Sequence, residues 1–245
     1  CLGTGIAYPG SKELVTNLVE EYKQSDVTKL DRWKIQFMDN SGEVKQRQTS
    51  EMLCYFSIGF EGQVAYNFHQ ARSKNPKLLD RRWKNKIQYA ISGIGASVEE
   101  AFNITKPLNN DIEVYVDGER LKLPSKTRSF VVSNIQSMAD GVYYWGNGPN
   151  TKKDITTYTK PELGDGKLEV MSSKGIHKWL QLKMGMSHYR RLAQPKKVTI
   201  IMKNELAIQL DGESWMESPG VVEIYLLHQV FAVVGKNEPR GVRII

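Results

Sequence analysis

Asp211 and Glu213 flank Gly212 in the run Leu210-Asp211-Gly212-Glu213-Ser214-Trp215, directly after the strand-like stretch 198–210. Glycine permits a tight turn that residues with side chains resist. Two carboxylates on such a turn can project from the end of a sheet toward one small volume. That arrangement suits taking a proton from a hydroxyl, or organising a magnesium ion, during phosphoryl transfer. Asp-Gly is also the commonest hairpin dipeptide, so a plain turn competes with the chemical reading.

The elements that would position these acids are legible in outline. Ser11 to Gln24 reads as a helix capped by Ser11, with Leu14, Val15, Leu18, Val19 and Tyr22 on one stripe. Leu30 to Met38 reads as a strand in which Trp33, Ile35 and Phe37 alternate with polar neighbours, and a polar loop follows over 40–49. After the apolar run 53–60, a helical pattern begins at Gly62 and ends near Pro76, and a longer helix is expected over 78–102.

Beyond Pro107 strands dominate. Ile112, Val114 and Val116 alternate before an Asp117-Gly118 turn, with Leu121 and Leu123 returning. Further strands are expected at 129–135, 167–171, 198–202, 206–210, 221–226 and 230–234, with a helix at 174–184. Hairpin spacings prevail and no α/β crossover rhythm is present after residue 107. The expected fold class is α+β: a mainly antiparallel β-sandwich-like domain or strongly bent sheet, with helices inserted near its start.

A hydrophobic fraction of 40% and a charged fraction of 25% suffice for a packed core and argue against disorder. No apolar run approaches the roughly 18 residues of a membrane span. The first residues do not form a charged segment followed by an apolar one, as a secretory leader would. Cys1 and Cys54 are too few for a disulfide framework or a four-cysteine metal site, so a reducing, cytoplasmic setting is expected. The net charge of +7 attracts anions, among them nucleotide phosphates and anionic lipid headgroups.

An ordered set of phrases runs along almost the whole chain. It comprises Leu2-Gly3-Thr4-Gly5, Leu30-Asp31-Arg32-Trp33-Lys34-Ile35, Tyr55-Phe56-Ser57-Ile58-Gly59-Phe60-Glu61, Val64-Ala65, Phe68-His69 and Lys84-Asn85-Lys86-Ile87-Gln88-Tyr89. It continues with Asn134-Ile135-Gln136-Ser137-Met138-Ala139, Trp145-Gly146-Asn147, Asp165-Gly166-Lys167-Leu168-Glu169-Val170, Arg191-Leu192-Ala193-Gln194 and Asp211-Gly212-Glu213-Ser214-Trp215. Together these resemble the eukaryotic diacylglycerol kinases, specifically their accessory domain.

The resemblance implies a lipid kinase that transfers the γ-phosphate of ATP to the primary hydroxyl of diacylglycerol, working with Mg2+ at an anionic membrane surface. It implies that residues 1–29 end an α/β nucleotide-binding domain and that 30–245 form the β-rich accessory domain, the last strands returning toward the catalytic lobe. Gly3, Thr4 and Gly5 would contact the ATP phosphates. Asp211 and Glu213 would face the catalytic cleft, Glu213 as general base. Asp165 resembles a structural magnesium ligand of bacterial relatives, against the simpler reading of a turn residue.

The chain departs from the family where Gly5 runs into Ile6-Ala7-Tyr8-Pro9-Gly10 instead of Asn-Asp, and the family's Gly-Gly-Asp-Gly phosphate loop is expected upstream of Leu2. A catalytically inactive, kinase-derived scaffold inside a larger assembly is therefore the alternative function. The presence of both Asp211 and Glu213 favours the enzyme.

Other conspicuous residues have simpler roles. His69 is expected in the core, and His177, His188 and His228 lack ligand spacing. Trp83, Trp145 and Trp215 are expected to pack. The basic clusters at 81–86, Arg190-Arg191 and Lys196-Lys197 read as solvated faces, the first also suiting an anionic bilayer. No nucleic-acid module is recognised, so nucleic acid is not an expected partner.

Overall fold

Trp33, Ile35 and Phe37 put an apolar side chain at every second position, and the chain there forms β1 (Asp26–Met38) with those three buried. The structure is a computed structural model, and it describes residues 23, 26–47, 50–74, 106–138, 143–146, 157–175, 178, 181, 182, 188–234 and 242–244. Gly3, Thr4, Gly5, the helices expected at 11–24 and 78–102, and the basic cluster at 81–86 lie outside the described residues. Of the helix expected at 174–184, Lys178, Gln181 and Leu182 are described and helical.

After β1 come β2 (Glu51–Met52), β3 (Tyr55–Gly59), α1 (Phe60–Lys74) and a 3-10 turn at Leu108–Asn110. Then follow β4 (Ile112–Val116), β5 (Glu119–Leu121), β6 (Ser129–Ser133), β7 (Glu169–Ser173) and β8 (Arg190–Ala193). The chain continues through β9 (Lys197–Met202), β10 (Leu206–Leu210), β11 (Glu213–Glu217), β12 (Gly220–Val234) and β13 (Val242–Ile244).

Two antiparallel sheets result. One has the order β2-β1-β12-β9-β4-β5, with β13 also on β12, and the other β11-β10-β3-β6-β7-β8. Trp33, Ile35, Phe37, Val114, Val198, Ile200, Val222 and Ile224 of the first sheet share one core with Phe56, Ile58, Phe130, Val132, Val170, Leu192, Ile208 and Leu210 of the second. Each such side chain contributes about 1.5–3 kcal/mol by leaving water. Val131 and Met171, next to core residues in sequence, join a second cluster with Met138, Tyr144, Trp145, Tyr158, Leu182 and Tyr189. The second sheet is thus covered on both faces, and β6 and β7 are buried at every residue. The α+β class and the antiparallel sandwich read from the sequence describe this arrangement.

The strands expected at 198–202 and 206–210 are β9 and β10, which lie in different sheets and are joined by the crossing at 203–205. Several other local expectations are corrected. The strands expected at 221–226 and 230–234 are one strand, β12. His228 and Gln229 interrupt its apolar pattern, but the pairing with β1 passes them by a bulge: Trp33 faces Leu226, Arg32 faces His228, and Leu227 is left over. The helix begins at Phe60 rather than Gly62, and packs against β3, β10 and β11. The expected domain boundary between residues 29 and 30 falls within β1. No helix among the described residues is long and apolar enough to cross a membrane.

Candidate active site at the Asp211–Gly212 hairpin

β10 and β11 pair with Leu210 opposite Glu213, so Asp211 and Gly212 are the whole loop of a two-residue hairpin. Both have positive φ, 50° at Asp211 and 97° at Gly212, as a type I′ turn requires. The hairpin reading and the carboxylate reading therefore describe one object.

The two acids diverge. Asp211 turns inward onto the bend that joins β2 to β3. Its Oδ2 accepts the Leu53 amide at 2.7 Å, and its Oδ1 accepts the Cys54 and Tyr55 amides at 2.8 Å each. The Asp211 amide in turn donates to the Tyr55 carbonyl at 2.9 Å. Burial pushes the Asp211 carboxyl up from its ordinary value, the three amides pull it back, and nearby Glu213 adds to the rise. Glu213, the first residue of β11, is exposed to solvent. Asp211 thus fixes the turn, and Glu213 is the carboxylate left available for chemistry.

The bend at Leu53–Tyr55 is also held from its carbonyl side. Asn134, directly after β6, donates its backbone amide to Cys54 O at 2.8 Å and Nδ2 to Leu53 O at 2.7 Å. Nδ2 also reaches Asp31 O at 2.8 Å, and Oδ1 accepts Trp33 Nε1 at 2.7 Å. Sequence reasoning passed over Asn134 and Asp31 as individual residues. The polar pair Ser133-Asn134 closing the apolar run 130–132, and an aspartate inside the strand pattern of β1, were the available signals.

Asp165 is reached through the same network. Asp31, fully buried, accepts the Gly166 amide on Oδ2 at 2.7 Å and Gln229 Nε2 on Oδ1 at 2.8 Å. Asp165 Oδ1 accepts the Lys167 amide at 3.0 Å, which makes it an Asx-type turn residue. Burial pushes its carboxyl up, opposed by Lys167 and reinforced by Asp31 and Glu162. Magnesium takes six oxygens in near-octahedral geometry. Among the described residues no group of three His, Cys, Asp or Glu side chains could hold a metal ion, and both Asp31 oxygens already have donors. Asp165 is therefore the one carboxylate of this turn that could reach a magnesium ion, with no protein cluster around it among the described residues, and no step is routed through the ion.

The remaining candidates resolve into structure. His69 is exposed rather than in the core, because the face of α1 that meets the sheet is its first turn, Phe60 to Gly62. Arg191 is buried, with Nε on Trp145 O at 2.9 Å and its guanidinium 5.6 Å from the Trp145 ring centroid, instead of lying on a solvated face. The Lys196 and Lys197 amides both donate to Asp117 Oδ1. Trp145 packs in the second cluster and Trp215 against the main core, as expected. Burial pushes the Cys54 thiol up to about 12, which makes it a poor nucleophile.

Residues 51–214 match the diacylglycerol kinase accessory domain family. The chain is 29% identical over 242 residues to diacylglycerol kinase 2 of Arabidopsis thaliana, covering 98% of this chain and 33% of that protein. It is 29% identical over 208 residues to human diacylglycerol kinase kappa, covering 84% of this chain and 16% of that protein. A crystal structure of a diacylglycerol kinase from Bacillus anthracis str. Sterne aligns with a TM-score of 0.43 at 14% identity, over 92% of this chain and 58% of that one. The chain spans a third or less of the length of these two curated relatives. Its ordered motifs and the family match over 51–214 place it in one group: the chain belongs to the diacylglycerol kinase accessory domain family.

Proposed function

We propose that this chain is the C-terminal, β-rich part of an ATP-dependent diacylglycerol kinase, with Glu213 as general base. The primary hydroxyl of diacylglycerol attacks the γ-phosphorus of ATP and the bond to the β–γ bridging oxygen breaks. ADP leaves, and the hydroxyl proton passes to the Glu213 carboxylate. The product is phosphatidic acid. An alcohol is a poor nucleophile until its proton has an acceptor, and a positioned carboxylate provides one. Gly3, Thr4 and Gly5 contact the ATP phosphates in this reading, and Asp211 positions the turn without touching substrate. Catalysis takes place at an anionic membrane surface, with the protein peripheral to it on the cytoplasmic side.

The observation that carries the reading is the exposed Glu213, held one residue beyond a turn pinned by three backbone amides. Preorganised placement of this kind is what proton transfer in a transition state needs. The family membership supplies the reaction class. The test is transfer of radiolabelled γ-phosphate from ATP to lipid by the full-length protein, on vesicles with and without diacylglycerol. Label in phosphatidic acid only when diacylglycerol is present supports the proposal. Absence of transfer with folded full-length protein overturns it in favour of the scaffold.

A further inference from the structure

We propose that Asn134 is a positioning residue that sets the Asp211–Glu213 turn by holding the Leu53–Tyr55 bend, and that it couples this turn to the one at Asp165–Gly166. The inference rests on the reading of Glu213 as the base. It begins with a buried amide whose orientation is chemically forced.

Asn134 is 1% exposed. Its Oδ1 faces the indole N–H of Trp33, which can only donate. Its Nδ2 faces the carbonyls of Asp31 and Leu53, which can only accept. Both Nδ2 hydrogens are used, and no flipped amide satisfies the three partners. A carboxylate at this position would set an anion against two carbonyl oxygens. A serine would reach fewer of the partners.

The bend between β2 and β3 is consequently gripped on two sides. Asn134 holds the Leu53 and Cys54 carbonyls, and Asp211 holds the Leu53, Cys54 and Tyr55 amides. Tilting the Leu53–Cys54 or the Cys54–Tyr55 peptide plane moves both grips together. A displaced bend therefore moves Asp211, and Glu213 lies two residues further along. In the other direction Asn134 holds the Asp31 carbonyl, and the Asp31 carboxylate holds the Gly166 amide. Gln229, bonded to both Asp31 Oδ1 and Gly164 O, secures the same turn to β12. The path between the two turns is unbroken hydrogen bonding through three segments far apart in sequence.

The test uses the full-length protein. Trp33→Phe removes the one donor that orients the Asn134 amide, and Asn134→Ala removes the amide itself. Leu108→Ala, in the core near Gly59 at the opposite end of β3, serves as a destabilising control. Amide exchange is read by mass spectrometry over 53–55 and at Gly166, alongside kcat and KM for ATP. The expected result for Trp33→Phe is exchange about tenfold faster at both segments and kcat lower by about tenfold, with KM for ATP unchanged. Leu108→Ala should change neither segment's exchange nor kcat at a similar loss of melting temperature. If Asn134→Ala does not fold, Trp33→Phe decides alone.

Unchanged exchange at 53–55 and Gly166 in the folded variants overturns the proposal. So does an equal loss of kcat in Leu108→Ala, which would mean that general destabilisation is the cause. If Glu213→Gln keeps full turnover while Trp33→Phe shows the exchange and kcat changes, the base assignment fails and the positioning of the turn by Asn134 stands.

Discussion

The Asp211 carboxylate meets the Leu53 amide at 2.7 Å across 158 residues of sequence. That contact ties the β10–β11 hairpin to the point where the chain passes from one sheet to the other. Asp211→Asn leaves one carbonyl oxygen for the work of two and turns an N–H2 toward an N–H donor. The expected cost is about 1–3 kcal/mol, the range for a buried donor left unmet. Thermal denaturation of Asp211→Asn against Glu213→Gln checks this: the former should melt lower, and the latter, changed at an exposed position, should match the parent.

Gly62 and Gly212 should respond differently to alanine. A Cβ on Gly62 would lie 2.5 Å from Ala207 O, a backbone atom that cannot yield, so α1 would have to lift from β10. A Cβ on Gly212 meets nothing within 4 Å, and only the positive φ of 97° resists it. Gly212→Ala should cost about 1–2 kcal/mol from backbone strain. Gly62→Ala should cost at least about 1–3 kcal/mol from overpacking and should also expose the start of the helix. Denaturant titration together with amide exchange over 60–64 separates the two effects.

Glu169 makes folding stability depend on pH in an unusual direction. Burial pushes its carboxyl from 4.5 up to about 8, offset in part by a hydrogen bond from Gln194 and reinforced by Asp165, and its Oε2 has no partner. Folding favours the protonated form. Its contribution is therefore fullest below about pH 4.5 and is lost as pH rises toward about 8. Glu169→Gln keeps the neutral shape at every pH. It should flatten the decline, by at most about 1.4 kcal/mol per pH unit, and raise the melting temperature more at pH 8 than at pH 5.

Glu217 carries the opposite sign. Burial opposes its ionisation, but hydrogen bonds from Trp215 and Lys45 and the charges of Arg47 and Lys45 outweigh burial and hold the carboxyl below its ordinary value of 4.5. Its stabilisation is present above that value and is lost as pH falls through the lowered folded value. Glu217→Gln should cost about 1–2 kcal/mol at pH 7, discounted for the partial exposure of Arg47, and little at pH 3. Melting curves at the two pH values check it.

The sandwich was legible because key strands alternate: Trp33, Ile35 and Phe37 in β1 and Ile112, Val114 and Val116 in β4 each declare the face of the first sheet that meets the core. β11 was hidden because Glu213, Ser214 and Glu217 dilute its pattern, and β8 because Arg190 and Arg191 look like a surface cluster until Trp145 covers Arg191. At the site, turn chemistry announced Asp211 and Gly212, and the resemblance singled out Glu213. Which acid turns inward was not legible. That depends on the amides of Leu53, Cys54 and Tyr55, which only tertiary structure brings to Asp211. Asn134 was hidden for the same reason, since its partners at 31, 33 and 53 belong to other segments.

The central claim is that Glu213 takes the proton while Asp211 only holds the turn. It is tested most directly by single-turnover phosphorylation of diacylglycerol by full-length Glu213→Gln at saturating MgATP. The account predicts a rate about tenfold or more below the parent, with an unchanged melting temperature. A rate equal to the parent's would contradict it.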